Sequence, residues 1–273
     1  MVSVLDRGFL FGDSVFETVV TRGGRLFALD QHLDRLERSA EKVGLRLPPR
    51  AHIAAAVDET VRAAGNEESR VRVMVTRGVG PLDLDPASAG EPSLVVIVQP
   101  RGGPQPELYD GGVAVTIVQG QFRSADPAVK SGNYLGSVLA LREARRLQPD
   151  AAEAILCAPG GSVAEGATSN VFLVRDGELR TPALEVGILD GVTRAQVLAL
   201  AREEGIPAAE LAFLAPAELR AAGEAFLTSA GRGVLPIRAV DGHPLPTPVP
   251  GPVTRRLMAS YARLTASGQG GGR

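Results

Sequence analysis

The strongest constraint on the fold is a break in mid-chain, RGGPQPELYDGG, at residues 101–112. Two prolines and four glycines in this stretch disfavour the interior of either a helix or a strand. Helix and strand patterns stand on both sides, so the sequence predicts two domains. We place a small N-terminal domain at residues 1–102, a linker at 103–111 and a larger C-terminal domain at 112–273.

The first half alternates strand and helix signals. The segment FETVVTRGGRLFAL predicts a hairpin that turns at Gly23-Gly24. Two stretches with apolar residues at helical spacing follow: QHLDRLERSAEKVGL, with Asp30 as N-cap, and HIAAAVDETVRAAG, ending at Gly65. The runs VRVMVTRG and SLVVIVQP are rich in β-branched residues and predict two more strands.

The second half begins with the strand GVAVTIV and a helix, NYLGSVLALREARRL. Strand pairs are predicted around Pro159-Gly160-Gly161 and, at the usual hairpin dipeptide, around Asp176-Gly177. Helices over RAQVLALAREEG and VTRRLMASYARL flank the strand EAFLTSA. Because helices and strands do not alternate regularly, the pattern predicts an α+β chain with mixed sheets rather than a doubly wound sheet.

Composition excludes several classes of partner. The 273 residues carry a formal net charge of −2, which gives no electrostatic case for nucleic acid or a membrane surface. No apolar run reaches the roughly 18–20 residues that span a bilayer, and MVSVLDRGF lacks the pattern of a signal peptide. We therefore expect a soluble, cytoplasmic protein.

Cysteine and histidine usage argues against disulfides and metals. Cys157 is the single cysteine, so neither an intrachain disulfide nor a cysteine metal cluster can form. His32, His52 and His243 lie far apart and never at ligand spacing. We expect no metal site.

Lysine is nearly absent from the chain, which draws attention to Lys130. Lys42 and Lys130 are the two lysines among 29 basic residues. Lysine, unlike arginine, can lose its proton and attack a carbonyl as a neutral amine. Lys42 lies near the end of a predicted helix, where any cation suits the helix dipole. Lys130 stands between a strand and a helix beside SGNY, as either a surface residue or the reactive amine of a pocket.

Three loops have both a structural and a functional interpretation. Gly191-Val192-Thr193 opens a predicted helix and either caps it or binds an anion on free backbone N–H groups. Glu165 in SVAEGATSN is a solvated loop residue unless it is buried, when it needs a cationic partner. Thr228 and Ser229 in LTSAGRG are, by themselves, part of a loop.

Arg35 and Arg38 lie three residues apart on the first predicted helix. At this spacing one of them must turn toward the apolar side or its edge, and a solvated helix face is the alternative. The sequence contains no Gly-x-Ser-x-Gly elbow, P-loop or dinucleotide fingerprint, so acyl and phosphoryl transfer lose support.

Six blocks in order resemble the class IV pyridoxal-phosphate (PLP) enzymes, which include branched-chain and D-amino-acid aminotransferases and aminodeoxychorismate lyase. The blocks span nearly the whole chain: DRGFLFGDSVFET, HLDRLERSA, VKSGNYLGSVLALREA, VAEGATSNVF, GILDGVTR and FLTSAGRGVLPI. The resemblance implies a two-domain enzyme of fold type IV. Its small N-terminal domain would be an α/β sandwich, and its larger domain, β-barrel-like with helices, would carry the cofactor lysine. The resemblance also implies a homodimer.

The resemblance further assigns roles to single residues. Lys130 would be the catalytic lysine that forms a Schiff base with PLP, Tyr134 would lie near the ring hydroxyl, and Glu165 would pair with the pyridinium nitrogen. Phe16 would line the substrate pocket. The implied phosphate ligands are Arg35, Val192, Thr193, Ser229 and the backbone of Ala230. These roles fit the chemistry, because a buried carboxylate keeps the ring nitrogen protonated and a phosphate suits an arginine and a helix N-terminus.

Three departures from the family pattern bear on the substrate. Ala230 stands where family aminotransferases often carry threonine, so one phosphate hydroxyl is missing. Leu82, Asp83 and Leu84 replace the Arg-x-His pair with which D-amino-acid aminotransferases grip the substrate carboxylate, which argues against that specificity. Arg232-Gly233 resembles the lyase branch.

Three functions stay open at this point. The first is a PLP-dependent aminotransferase that moves an amino group between an amino acid and a 2-oxo acid by ping-pong half-reactions. The second is an aminodeoxychorismate lyase that releases pyruvate to give 4-aminobenzoate. The third is a cofactor-binding protein without turnover, which the presence of both Lys130 and Glu165 disfavours.

Overall fold

The computed structural model of the chain describes residues 2–102, 105–120 and 125–267. Helices and strands both form, in irregular order, which confirms the predicted α+β class. The helices are α1 (Arg7–Phe11), α2 (Leu29–Lys42), α3 (Arg50–Ala64), α4 (Pro106–Gly111), α5 (Leu135–Leu147), α6 (Val192–Glu203), α7 (Pro216–Arg220) and α8 (Pro252–Ser267). The strands are β1 (Ser14–Arg22), β2 (Arg25–Leu26), β3 (Ser69–Thr76), β4 (Ser93–Pro100), β5 (Val113–Val118), β6 (Ala151–Cys157), β7 (Val163–Gly166), β8 (Asn170–Arg175), β9 (Glu178–Pro182), β10 (Ala208–Leu211), β11 (Glu224–Ser229), β12 (Gly233–Val240) and β13 (His243–Pro244).

The residues fall into two compact units. Of the described residues, the first unit contains those up to Gly102, the segment Val129–Tyr134 and residues 265–267. The second contains Pro104–Ala128 and Leu135–Leu264. The segment that carries Lys130 therefore groups with the first unit. The sequence-based boundaries stay a prediction, and residues 103–104 of the predicted linker lie outside the described residues.

The first unit is built on an antiparallel sheet in the order β2-β1-β3-β4. Alternate residues of β3 face the core, so Val71, Val73 and Val75 are fully buried. They pack with Leu33 and Leu36 of α2, whose apolar stripe has helical spacing. Burial of these side chains, each contributing about 1.5–3 kcal/mol, holds α2 against the sheet.

The Lys130 segment is fixed to β1 by backbone hydrogen bonds. The Phe16 N–H donates to the Lys130 carbonyl (2.9 Å), and the Gly132 N–H donates to the Ser14 carbonyl (2.8 Å). The side chain of Val129 joins the core of the unit. A Cβ at Gly132 would lie 2.1 Å from the Ser14 hydroxyl oxygen, so any larger residue would force that hydroxyl to move.

The second unit contains a mixed sheet in the order β10-β9-β8-β11-β12-β5-β6-β7, with β13 paired to β12. Parallel pairs (β9/β10, β5/β12 and β5/β6) stand beside antiparallel ones, as the irregular sequence pattern predicts. Alternate residues of β6 pack into two different hydrophobic cores: Ile155 packs with Leu219 of α7, and Ala154 packs with Ala140 of α5. This alternation explains why β6 is buried along most of its length.

The turn predictions are confirmed. Gly23 and Gly24 connect β1 to β2 with positive φ, and Asp176 and Gly177 do the same between β8 and β9. The predicted N-cap of α2 is wrong. Ala28, in a left-handed conformation, precedes α2 without a side-chain cap, and Asp30 lies in the first turn, where its charge favours the helix dipole.

Within the described residues, no helix combines the length and the apolar character that crossing a bilayer requires.

Candidate active site

The residues around Lys130 form a cluster within the first unit. The Lys130 Nζ lies 3.2 Å from the Tyr134 hydroxyl oxygen and 4.6 Å from the centroid of the Phe16 ring. The Phe16 and Tyr134 rings meet edge to face, with centroids 5.2 Å apart. Of the residues predicted for a site, the structure thus brings together Lys130, Tyr134 and Phe16.

Arg72 on β3 completes this cluster and is not among the residues predicted from the sequence. Its guanidinium carbon lies 3.8 Å from the Phe16 ring centroid. Its Nε is buried, and no hydrogen-bond partner lies within the described residues. Burial lowers the pKa of the Arg72 guanidinium; Tyr134 opposes the shift and Arg70 adds to it. A partly desolvated cation with an unused donor is suited to an anionic ligand. The available signal was an arginine within VRVMV, at a position that faces away from the core.

Arg35 lies on the other face of the same sheet region. Phe16 and Glu17 are consecutive in β1, so their side chains point to opposite faces. The buried Glu17 carboxylate accepts two hydrogen bonds from Arg35 on α2, from Nε and Nη2, both at 2.7 Å. The His32 Nδ1 lies 2.7 Å from the same carboxylate. Of the two candidate arginines, Arg35 turns inward and Arg38 is exposed.

The electrostatics of Glu17 follow from this arrangement. Burial alone would raise the pKa of the Glu17 carboxyl. The charge of Arg35 and the hydrogen bonds from Arg35 and His32 outweigh burial and lower the pKa to about 2. Glu17 is therefore ionised at neutral pH and fixes the direction of the Arg35 guanidinium.

Glu165 lies within the second unit, on β7. Its side chain is partly buried, and its Oε2 accepts a hydrogen bond from the Leu189 N–H (3.1 Å). The solvated-loop interpretation is therefore wrong for one carboxylate oxygen, which a backbone donor holds in place. No described contact tests the predicted pairing of Glu165 with a ring nitrogen.

The start of α6 has the features of an anion site. Gly191 occupies the N-cap position, and no side chain of the described residues caps the helix. Val192 and Thr193, the first two helical residues, are buried. A Cβ at position 191 would lie 2.0 Å from the Asn170 Oδ1, so glycine leaves room for the Asn170 side chain beside the start of α6. Uncapped N–H groups and the positive end of the dipole favour a phosphate here.

Ser229 is the last residue of β11, and Ala230 begins the turn to β12. The Ser229 Oγ accepts from the Arg232 backbone N–H and Nε, both at 3.4 Å. The Arg232 Nη2 donates to the buried carboxylate of Glu153 (2.6 Å). Glu153 is not among the residues predicted for the site, because in AAEAILC it has the pattern of an ordinary polar residue in a strand.

Groups of three or more His, Cys, Asp or Glu side chains that could hold a metal ion are absent from the described part of the chain.

Comparison with known proteins decides the family. Residues 14–240 match the family described as Amino-transferase class IV. The chain belongs to the class IV aminotransferases. These enzymes use PLP, so the predictions of an enzyme and of this cofactor are confirmed.

Two relatives illustrate the range of this class IV family. A Methanocaldococcus jannaschii protein named for branched-chain-amino-acid aminotransferase activity is 37% identical over 264 residues, covering 95% of this chain and 90% of its own length. The D-alanine aminotransferase of Bacillus licheniformis is 32% identical over 260 residues, with coverages of 95% and 90%.

Solved structures of class IV enzymes confirm the fold-type IV prediction. The branched-chain aminotransferase of the thermophilic archaeon Thermoproteus uzoniensis, solved with norvaline, has a TM-score of 0.88 at 33% identity, covering 98% of this chain and 91% of its own. The 4-amino-4-deoxychorismate lyase of Pseudomonas aeruginosa has a TM-score of 0.84 at 31% identity, with coverages of 96% and 95%.

The residues of this class IV chain fit PLP. A lysine amine within hydrogen-bond distance of a tyrosine hydroxyl suits the aldehyde end of the cofactor. The uncapped N-terminus of α6 suits its phosphate.

Proposed function

We propose that the chain is an aminotransferase that moves an amino group between an amino acid and a 2-oxo acid by ping-pong half-reactions, with Lys130 as the lysine that bonds the cofactor. The observation that carries this proposal is the cluster of Lys130, Tyr134, Phe16 and Arg72. It combines an amine, a hydroxyl, an aromatic wall and an unsatisfied cation. PLP, when bound, supplies an aldehyde for the amino group and an electron sink for cleavage at the substrate Cα.

Lys130 would move the proton. Its Nζ would take the proton from the substrate Cα and hold it for the return transfer, while bound PLP would supply the electron sink. Tyr134 accepts a hydrogen bond from Nζ and limits the directions in which the amine can point. Phe16 packs against both groups and excludes water from one side of the amine.

Further residues would hold the cofactor, as the family resemblance implies. Glu165 would hold the proton of the ring nitrogen. The phosphate would be bound by Arg35, by the Val192 and Thr193 amides, and by Ser229 with the Ala230 backbone. For Arg35 this part of the proposal rests on the resemblance alone, because its Nε and Nη2 already donate to the buried Glu17 carboxylate.

Arg72 would bind the substrate carboxylate. A 2-oxo acid and an amino acid share this group, so one guanidinium serves both half-reactions. The segment that replaces the Arg-x-His pair offers no cation. Leu82 and Leu84 are largely exposed, and the Asp83 carbonyl accepts from Arg7 Nη1 (2.9 Å).

Aminodeoxychorismate lyase is the second candidate, supported by the Arg232-Gly233 pair and by the similarity to the Pseudomonas aeruginosa lyase. Both reactions would use Lys130 and PLP, so residues of the cofactor site do not separate them. The difference lies in the product: a lyase releases pyruvate and 4-aminobenzoate, while an aminotransferase passes its amino group to an added 2-oxo acid.

Separate incubations of the PLP-loaded enzyme would decide between the two. We expect branched-chain L-amino acids, tested singly with 2-oxoglutarate, to give glutamate, and D-alanine to give none. Aminodeoxychorismate without an acceptor should give no 4-aminobenzoate. Formation of 4-aminobenzoate with no transfer from any amino acid would replace the proposed function by the lyase.

We also propose a homodimer. The first unit exposes large apolar side chains on α1 and on the segment that includes Leu82 and Leu84; among them Phe9 is 74% exposed. Such a group of exposed apolar residues is typical of an interaction surface. Sedimentation should give a dimer mass at assay concentration, and a fully active monomer would contradict the proposal.

A further inference from the structure

We propose that the ion pair between Glu153 and Arg232 is a positioning device that prepares Ser229 to donate to the cofactor phosphate. The inference rests on the proposed function, since it takes Ser229 as a phosphate ligand. All of its parts lie within the second unit.

The Glu153 carboxylate is buried and is held in place by several hydrogen bonds. Glu153 is 1% exposed on β6, and its Oε2 accepts from Arg232 Nη2 (2.6 Å), Thr168 Oγ1 (2.6 Å) and Ser169 Oγ (3.1 Å). A carboxylate so deeply buried needs both a cation and hydrogen-bond donors. Arg232 supplies the charge.

Arg232 connects the Glu153 carboxylate to the turn between β11 and β12. Its carbonyl accepts from the Tyr109 hydroxyl (2.8 Å), and Ser229 pairs with Gly233 across the turn. The turn is thus held through the side chain of Arg232, through its carbonyl and through the strand ladder. Loss of the Glu153 carboxylate would remove the charged partner of the Arg232 side chain and leave Nη2 with Thr168 Oγ1 (2.7 Å), which itself donates to Glu153.

The hydroxyl of Ser229 is the part that acts on a ligand. Its Oγ accepts weakly from both the backbone N–H and Nε of Arg232. A hydroxyl has one proton and two lone pairs, so these donors leave its proton available for a further partner. Within the described residues Ser229 Oγ donates no hydrogen bond, and a phosphate oxygen is the acceptor that the proposed function supplies.

The same carboxylate also holds the loop that follows Glu165. Thr168 and Ser169, both bonded to Glu153, lie between β7 and β8, and the Gly166 N–H donates to the Ser169 carbonyl (2.7 Å). One ion pair therefore connects the turn that carries Ser229 to the loop next to Glu165.

The test compares ligands with and without a phosphate. Apo-protein is titrated with PLP, with pyridoxal and with inorganic phosphate for wild type, Glu153→Gln, Arg232→Gln and the double variant. We expect the Kd for PLP and for phosphate to rise at least about tenfold in all three variants, while the Kd for pyridoxal stays within about twofold of wild type.

Two further variants serve as controls. Arg232→Lys keeps the cation but not the fork of donors, and should give an intermediate Kd for PLP. Arg220→Gln breaks the surface ion pair with Asp241 in the same unit and should leave every Kd unchanged. Hydrogen exchange of the apo-protein should be faster at the amides of residues 229–233 in Glu153→Gln than in Arg220→Gln.

If the ion pair only stabilises the fold, we expect a different pattern. Single variants would lower the melting temperature, the double variant would restore it by removing the unpaired charge, and PLP affinity would follow stability. Wild-type affinity for PLP in the double variant would overturn the proposal. Phosphate-dependent losses in an enzyme that transfers no amino group would instead overturn the proposed function and leave the positioning role standing.

Discussion

The Lys130 amine and the Tyr134 hydroxyl lie 3.2 Å apart, four residues from each other along the chain. Tyr134→Phe keeps the edge-to-face contact with Phe16 and removes only the acceptor. Because leaving a donor without its hydrogen-bond partner costs about 1–3 kcal/mol, we expect kcat to fall roughly 5–100-fold while PLP stays bound. The pH dependence of kcat should shift as well. An unchanged profile and rate would show that Tyr134 only packs against Phe16.

Replacement of Lys130 should abolish both turnover and covalent attachment of PLP. Lys130→Ala removes the amine, and Lys130→Arg keeps a cation that cannot become a neutral nucleophile. Borohydride reduction followed by mass spectrometry should label wild type at Lys130 and neither variant. Lys42→Arg is the matched control, since Lys42 lies at the end of α2, and it should retain wild-type labelling. Labelling at Lys42, or none in wild type, would remove Lys130 from its proposed role.

Glu165→Gln should lower turnover by at least about a hundredfold without loss of cofactor. The amide keeps the shape and can still accept from the Leu189 N–H, but it carries no charge to hold a proton on the ring nitrogen. Absorbance of the bound cofactor and single-turnover rates would measure the change. Glu203→Gln, at an exposed position of α6, is the control. Normal rates in Glu165→Gln would place the carboxylate away from the ring.

Arg72→Met should weaken the binding of substrates that carry a carboxylate. We expect KM for amino acids and 2-oxo acids to rise at least about tenfold, with a much smaller effect on an amine that lacks a carboxylate. Arg70→Met alters an exposed arginine two positions along β3 and should change little. Equal losses for amines and amino acids would assign Arg72 a packing role instead.

Acid should destabilise the first unit through Glu17. The folded pKa of about 2 lies below the ordinary value of 4.5, so the stabilisation is complete above about pH 4.5. It is lost as pH falls from 4.5 toward 2. Glu17→Gln should lose about 3–5 kcal/mol at pH 7, because Arg35 stays buried without its partner. Its melting temperature should then fall less than that of wild type between pH 5 and pH 3; parallel curves would contradict this.

The elements that the sequence predicts well are those with a local cause. Glycine pairs and an Asp-Gly dipeptide place turns because they accept positive φ, and apolar spacing places α2 against the sheet. The start of α2 was missed because Ala28, a residue without a polar side chain, adopts the left-handed conformation. Tertiary contacts, not local preference, decide that position.

The parts of the site that could not be predicted depend on which face of a strand is covered. Glu17 and Arg72 are charged residues within strands, where a solvated position is the ordinary expectation. In the structure α2 covers Glu17 with a matching cation, and Arg72 lies against an aromatic ring. A single sequence contains both charges but not the pairing, because the partners are distant in the chain.

The pairing of residues 130–132 with β1 has a consequence for dissecting the protein. A fragment that ends before the mid-chain break would contain β1 with Phe16, and β3 with Arg72, but not the lysine. A fragment that begins after the break would contain the lysine without the strand to which its backbone is bonded. Neither piece expressed alone can present the amine in its native place, and only co-expression of both, with strand complementation, could restore it.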